Sequence, residues 1–76
     1  MEIKGAHTLL AKLGSKIKHL RTNKKISQAA LADICGLQKA NLSRIESGKT
    51  NITMVTLISI AQGLNVTVVE LFTEAS

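Results

Sequence analysis

Residues 27–48 read SQAALADICGLQKANLSRIESG, and the fold follows from how this stretch divides. Apolar side chains fall at Ala30, Leu31, Ile34 and Cys35, and again at Leu42 and Ile45. These are the three- and four-residue steps of two short helices that each turn one face inward. Between them stands Gly36. Lacking a Cβ, it enters the left-handed backbone region cheaply, so the chain can reverse there at a helix end. Ala32 is small, as a residue must be where two helices cross closely. The stretch is two helices joined by a tight turn, and the flanking chain must supply the helices that cover it.

On the N-terminal side, Leu9, Leu10, Leu13, Ile17 and Leu20 make one apolar stripe of a helix over residues 8–22, with Thr8 as its expected cap. Lys12, Lys18 and His19 fall on the other side, and Gly14 weakens the helix slightly. Arg21 lies at the edge of the stripe, where a permanent cation needs a partner. Residues 1–7 carry no period and read as a loose arm. Ser27 caps the next helix and leaves the Gln28 side chain free at its first position. Unpaired N–H groups and the positive dipole end favour an anion there, which makes Ser27 and Gln28 candidate phosphate contacts.

The third helix is expected over residues 38–47. With Leu42 and Ile45 inward, it turns Ala40, Ser43, Arg44 and Ser47 outward, with Lys39 and Asn41 at the flanks. That face is short, hydrogen-bonding or cationic and holds no large apolar residue. Arg44 can bond two acceptors of guanine, Lys39 can reach guanine or a phosphate, Asn41 can pair with adenine, and Ala40 can touch a thymine methyl. With Ser43, these are the candidate base-reading residues. Glu46 turns back toward the core. After Gly48, the loop Lys49-Thr50-Asn51 is basic and polar, and Lys49 and Asn51 join the phosphate-contact candidates. Thr53 caps a fourth helix expected to carry Met54, Leu57, Ile58 and Ala61 inward. Thr67 and Glu70 fit a capping box that opens a short fifth helix, in which Leu71 and Phe72 close the core. Val55, Ile60, Val68 and Val69 are left over, and they mark this C-terminal surface as the expected homodimer interface.

The chain has 76 residues, enough for one domain near the lower limit for folding without staples. One cysteine, Cys35, cannot form an internal disulfide and reads as a small core residue. No basic segment followed by an apolar run opens the chain, and no run approaches the roughly 18 apolar residues of a membrane span, so a cytoplasmic location is expected. Charge is strongly divided. All ten lysines and arginines lie in residues 1–49 against three acids, a net +7, whereas residues 50–76 carry no base and two acids, a net −2. A surface so polarised fits a polyanion. With no Trp or Tyr and Phe72 alone, there is no stacking platform for single-stranded bases, which leaves double-stranded DNA.

Gln28, Ala32, Gly36, Leu42 and Ile45, the phrase LSRIESGKTN and the ending GLNVTVVELF together resemble the phage-repressor-like (XRE-type) helix-turn-helix family over residues 9–72. Ile52, where the family usually has proline, and Gln38, where it more often has Ser or Thr, are departures. The resemblance implies an all-α, compact five-helix lambda-repressor-like domain spanning residues 1–76, with helices 2 and 3 forming the helix-turn-helix. It implies a structural ion pair between Arg21 and Glu46. It also implies a sequence-specific transcriptional regulator, phage-repressor-like or restriction–modification controller-like, acting as a homodimer on a palindromic operator. An antitoxin-like module that binds another protein is the alternative. An enzyme is not expected: His7 and His19 are too far apart for common metal spacing, no nucleophile has a base, and neither a metal nor a cofactor is called for.

Overall fold

The computed structural model describes residues 5–73, without the side chains of Ala6 and His7. Five helices follow one another: α1 (Ala6–Asn23), α2 (Gln28–Cys35), α3 (Lys39–Glu46), α4 (Met54–Gly63) and α5 (Val68–Leu71). No strand occurs among the described residues.

Hydroxyl side chains start three of these helices. Ser27, Thr53 and Thr67 each accept the backbone N–H three residues on, from Ala30, Thr56 and Glu70, at 3.0, 3.2 and 3.2 Å. A cap of this kind contributes about 1 kcal/mol. Thr67 completes its capping box, because the Glu70 carboxylate accepts the Thr67 backbone N–H at 3.3 Å. The start of α1 differs from expectation. Its N-cap is Gly5 at φ +92°, so Thr8 lies inside the helix and residues 6 and 7 belong to α1 rather than to an arm. The remainder of that expected arm, residues 1–4, lies outside the described residues.

The first four helices end in one way. A left-handed residue follows each: Lys25, Gly36, Gly48 and Asn65. After each, two N–H groups turn back onto the last helical carbonyls. Lys25 and Ile26 donate to Thr22 and Arg21, Gly36 and Leu37 to Asp33 and Ala32, Gly48 and Lys49 to Ile45 and Arg44, and Asn65 and Val66 to Gln62 and Ala61. This is the Schellman arrangement, and its apolar companion residue recurs as well. Ile26, Leu37 and Val66 each pack against the core just past the turn.

That core consists of Leu13 and Ile17 of α1, Leu31 and Ala32 of α2, Leu42 and Ile45 of α3, Leu57, Ile60 and Ala61 of α4, with Leu64 and Leu71. Several residues expected inside are exposed: Ala30 and Ile34 of α2, Met54 and Ile58 of α4, and Leu9 and Phe72. In α2 the inner face is carried by Leu31, Ala32 and the partly buried Cys35, which turns Ile34 out by about 100° of helix rotation. In α4 the inner face is Leu57, Ile60, Ala61 and the following Leu64, rotated by about 60° from the expected face. Ile60 is thus wholly buried at 0% exposure and cannot belong to an intermolecular surface. Val68 is half-buried against the core, whereas Val55 and Val69 are exposed.

Helix α3 is held by α1 and α2 together. The α1–α3 crossing is made possible by Gly14: a Cβ there would lie 2.6 Å from the Glu46 carbonyl oxygen and closer still to that of Ile45. Gly48 repeats the device at the end of α3, where a Cβ would meet the Ala11 Cα at 2.7 Å. Gly14 is therefore a crossing point rather than a mere weak spot in α1.

Candidate nucleic-acid interface

Packing of Leu42, Ile45 and Glu46 inward fixes which side of α3 meets solvent. Lys39, Ala40, Asn41, Ser43, Arg44 and Ser47 all lie on that side, exposed. They form one face, and the first of them, Lys39, opens the helix behind the extended Gln38. Gln38 makes no side-chain cap. Within the face, the Arg44 guanidinium Nη1 donates to the Asn41 side-chain oxygen at 3.0 Å. Asn41 still offers its amide nitrogen and the second lone pair of its side-chain oxygen, the two groups that a pairing with adenine uses.

Beside this face, α2 brings its N-terminus. Ser27 Oγ takes the Ala30 N–H, which leaves the N–H groups of Gln28 and Ala29 as the outermost donors of the helix. The Gln28 side chain is not free as expected. Its Nε2 donates to Glu46 Oε1 at 3.1 Å. Glu46 also takes the Arg21 guanidinium side-on, with Nε to Oε2 at 2.7 Å and Nη2 to Oε1 at 3.1 Å, and both residues are buried. The third arm of that guanidinium, Nη1, donates to the Ile26 carbonyl at 2.9 Å. A planar fork in which each of the three nitrogens donates, two of them to one carboxylate, is the geometry in which a buried Arg–carboxylate pair is tolerated. Arg21, Gln28 and Glu46 thereby connect α1, α2 and α3 through side chains alone.

An open cleft of about 380 Å³ lies over this network, lined by Lys18, Arg21, Ser27, Gln28, Ala29, Lys39, Ser43, Glu46 and Ser47. Its rim holds two lysines, from α1 and α3, beside the N–H end of α2. From the sequence alone, Lys18 falls only on the outer side of the first helix, away from the candidate contacts. The signal available was its position three residues before Arg21, one helical turn away on the same side of α1. On the other flank of α3, a cleft of about 210 Å³ is lined by residues that include Asn41, Arg44, Thr50, Asn51, Thr53 and Thr56. Lys49 and Asn51 are exposed beside it. The exposed face of α3 is thus bordered on both sides by hydrogen-bonding concavities, an arrangement suited to a helix laid between two phosphate rows.

Comparison with known proteins decides the family. The helix-turn-helix family profile matches residues 17–71. The chain belongs to the XRE-type helix-turn-helix family. It is 39% identical to the control protein C.MunI of Mycoplasma sp over 64 residues, which cover 83% of this chain and 86% of that protein. Among solved structures it is similar to the restriction–modification controller protein C.AhdI of Aeromonas hydrophila, with a TM-score of 0.81 and 35% identity over 83% of this chain and 96% of that one. It is also similar to the biofilm master regulator SinR in complex with DNA, with a TM-score of 0.74 and 34% identity over 80% of this chain and 98% of that one. Membership makes this protein a DNA-binding regulator of transcription, and its family is not an enzyme family.

Other chemistry-bearing groups of the helix-turn-helix domain are accounted for locally. Cys35 donates its thiol to the Ser59 carbonyl at 3.4 Å, and burial pushes its pKa up. His19 shares a 3.1 Å hydrogen bond with Asn23 on the exposed side of α1. Among the described residues there is no group of three or more His, Cys, Asp or Glu able to hold a metal, and no helix long and apolar enough to cross a membrane. The side chain of His7 lies outside the described residues.

Proposed function

We propose that this helix-turn-helix protein is a sequence-specific regulator that binds a two-fold repeated operator in the cytoplasm as a homodimer, without catalytic activity of its own, and that each subunit lays α3 in the major groove. The observation that carries this reading is the α3 face: six exposed side chains, none large and apolar, bordered by two polar clefts. Lys39, Ala40, Asn41, Ser43 and Arg44 read base edges. Ser27, Gln28, Lys49 and Asn51 hold phosphates and set the register, with Lys18 added from the cleft rim. The dimer forms through the exposed apolar residues of α4 and α5, where Val55 and Val69 are joined by Met54, Ile58 and Phe72. Likeness to the restriction–modification controller protein C.AhdI and to the control protein C.MunI favours a controller of that kind over a phage repressor.

Selection from a random pool of DNA duplexes at roughly physiological salt tests the whole reading. The expected result is a two-fold repeated motif bound about a thousandfold or more tighter than random duplex. If no motif emerges and affinity merely falls with salt, the basic face binds DNA without reading it, and the sought partner is a protein.

A further inference from the structure

We infer that Glu46 is a positioning residue for DNA binding, acting through the side chain of Gln28. The inference rests on the proposed phosphate role of Gln28 and goes beyond the ion-pair role that Glu46 plays with Arg21.

The geometry gives Glu46 three incoming donors: Nε and Nη2 of Arg21 and Nε2 of Gln28. A carboxylate only accepts, so the Gln28 amide must turn its NH2 end toward Glu46. The carboxylate in turn cannot rotate, because Arg21 occupies both of its oxygens and is itself anchored on the Ile26 carbonyl. Gln28 is therefore held in one orientation before any DNA arrives. One amide N–H is spent on Glu46, and the other remains to be offered in the cleft that Ser27, Lys18 and Lys39 line. A glutamine is rich in rotamers, and fixing it on folding removes an ordering cost that binding would otherwise carry. From the typical ordering cost of one such side chain, the gain in affinity is about three- to tenfold. The effect falls on phosphate contact, so it applies to specific and random duplex alike.

Two measurements on the full chain test this. The first needs no substitution. In the DNA-free protein, NMR order parameters of side-chain amides should show Gln28 ordered and the exposed Gln38 and Gln62 mobile. A Gln28 amide as mobile as the other two overturns the inference. The second compares substitutions that avoid an orphaned buried charge, by removing both members of the ion pair. Arg21→Met with Glu46→Leu should bind duplex DNA three- to tenfold more weakly at native-like melting behaviour. Arg21→Met with Glu46→Gln restores an oxygen acceptor and should recover most of that loss. In a Gln28→Ala background, the change from Gln to Leu at position 46 should have no further effect. An equal loss with and without Gln28, or no loss at either, overturns the positioning role while leaving the DNA reading intact. Failure of the unaltered protein to bind any duplex overturns both.

Discussion

Arg44 is the residue on which the proposed sequence reading most depends, because it is the one guanidinium on the exposed face of α3. Its bond to Asn41 ties the guanidinium to the residue one turn back on the same exposed face. Replacing Arg44 with Ala should cost about 1–3 kcal/mol on the selected operator and relax the preference at the base pair it reads. Titrations on operator and random duplex check this, and an equal loss on both would mean that Arg44 touches phosphate alone. Lys25 offers a stability test at the same scale. It is a side-chain-bearing residue at φ +59°, where the left-handed conformation costs roughly 1–2 kcal/mol relative to glycine. Glycine at that position loses part of this gain to the freedom of the unfolded chain, so Lys25→Gly should stabilise by about 0.5–1 kcal/mol. The melting midpoint should rise by a few degrees, as expected for a domain of this size. The αL turn at Lys25 was not legible in the sequence. Glycine signals such a turn by its identity and asparagine, as at Asn65, does so more weakly, whereas lysine adopts it because the next residue, Ile26, gains core contact by doing so. The Gln28–Glu46 bond was hidden for a related reason: 18 residues of chain separate its partners, and no local period joins them.

At the scale of elements, the helix starts were legible because Ser27, Thr53 and Thr67 are cap residues followed by apolar periods, and the turn at Gly36 was legible because a glycine stands between two such periods. The phase of α4 was not. Its sequence MVTLISIAQG is apolar on nearly every side, so periodicity alone admits more than one inner face. The choice is made by neighbours, since Ile60 and Ala61 fill the space above α2, and Met54 and Ile58 are left outside. Gly14 shows how tertiary contact reverses a local preference. Alanine is better than glycine in a helix interior by about 1 kcal/mol, so propensity alone favours Gly14→Ala. The added Cβ would press on the α3 backbone, and overpacking of this kind costs about 1–3 kcal/mol. Because the obstacle is backbone on both sides and cannot rotate away, the net effect should be destabilising. Denaturant titration of Gly14→Ala measures the sign directly, and a more stable variant would refute the tight crossing.

For the molecule as a whole, the polarised charge and the exposed apolar residues of α4 and α5 divide the surface into two functional regions. Val55 and Val69 are 75% and 72% exposed, so changing them should leave the monomer's fold intact. The double substitution Val55→Lys and Val69→Lys should shift sedimentation equilibrium toward monomer. Under the proposed arrangement it should also weaken binding to a two-half-site duplex far more than binding to a single half-site. Persistence of the dimer would place the interface elsewhere. The polarity of the chain was readable from composition, since all ten cations precede residue 50. Which apolar residues stay outside was not readable, because that depends on the rotation of α4 about its own axis.

The anchoring of α3 by Gly14 and Gly48 has a consequence for how such a protein can change over time. With the C-terminal end of the helix pressed onto α1 and Leu42, Ile45 and Glu46 packed inward, a substitution on the exposed face has little leverage to tilt or roll it. The six exposed positions carry almost none of the core, and surface exchanges away from packed contacts usually alter stability by no more than about 0.5 kcal/mol. The scaffold therefore separates inheritance of shape from inheritance of preference. Lineages built on the same five helices can diverge in the DNA they recognise by rewriting a few side chains, each step tolerated by the fold.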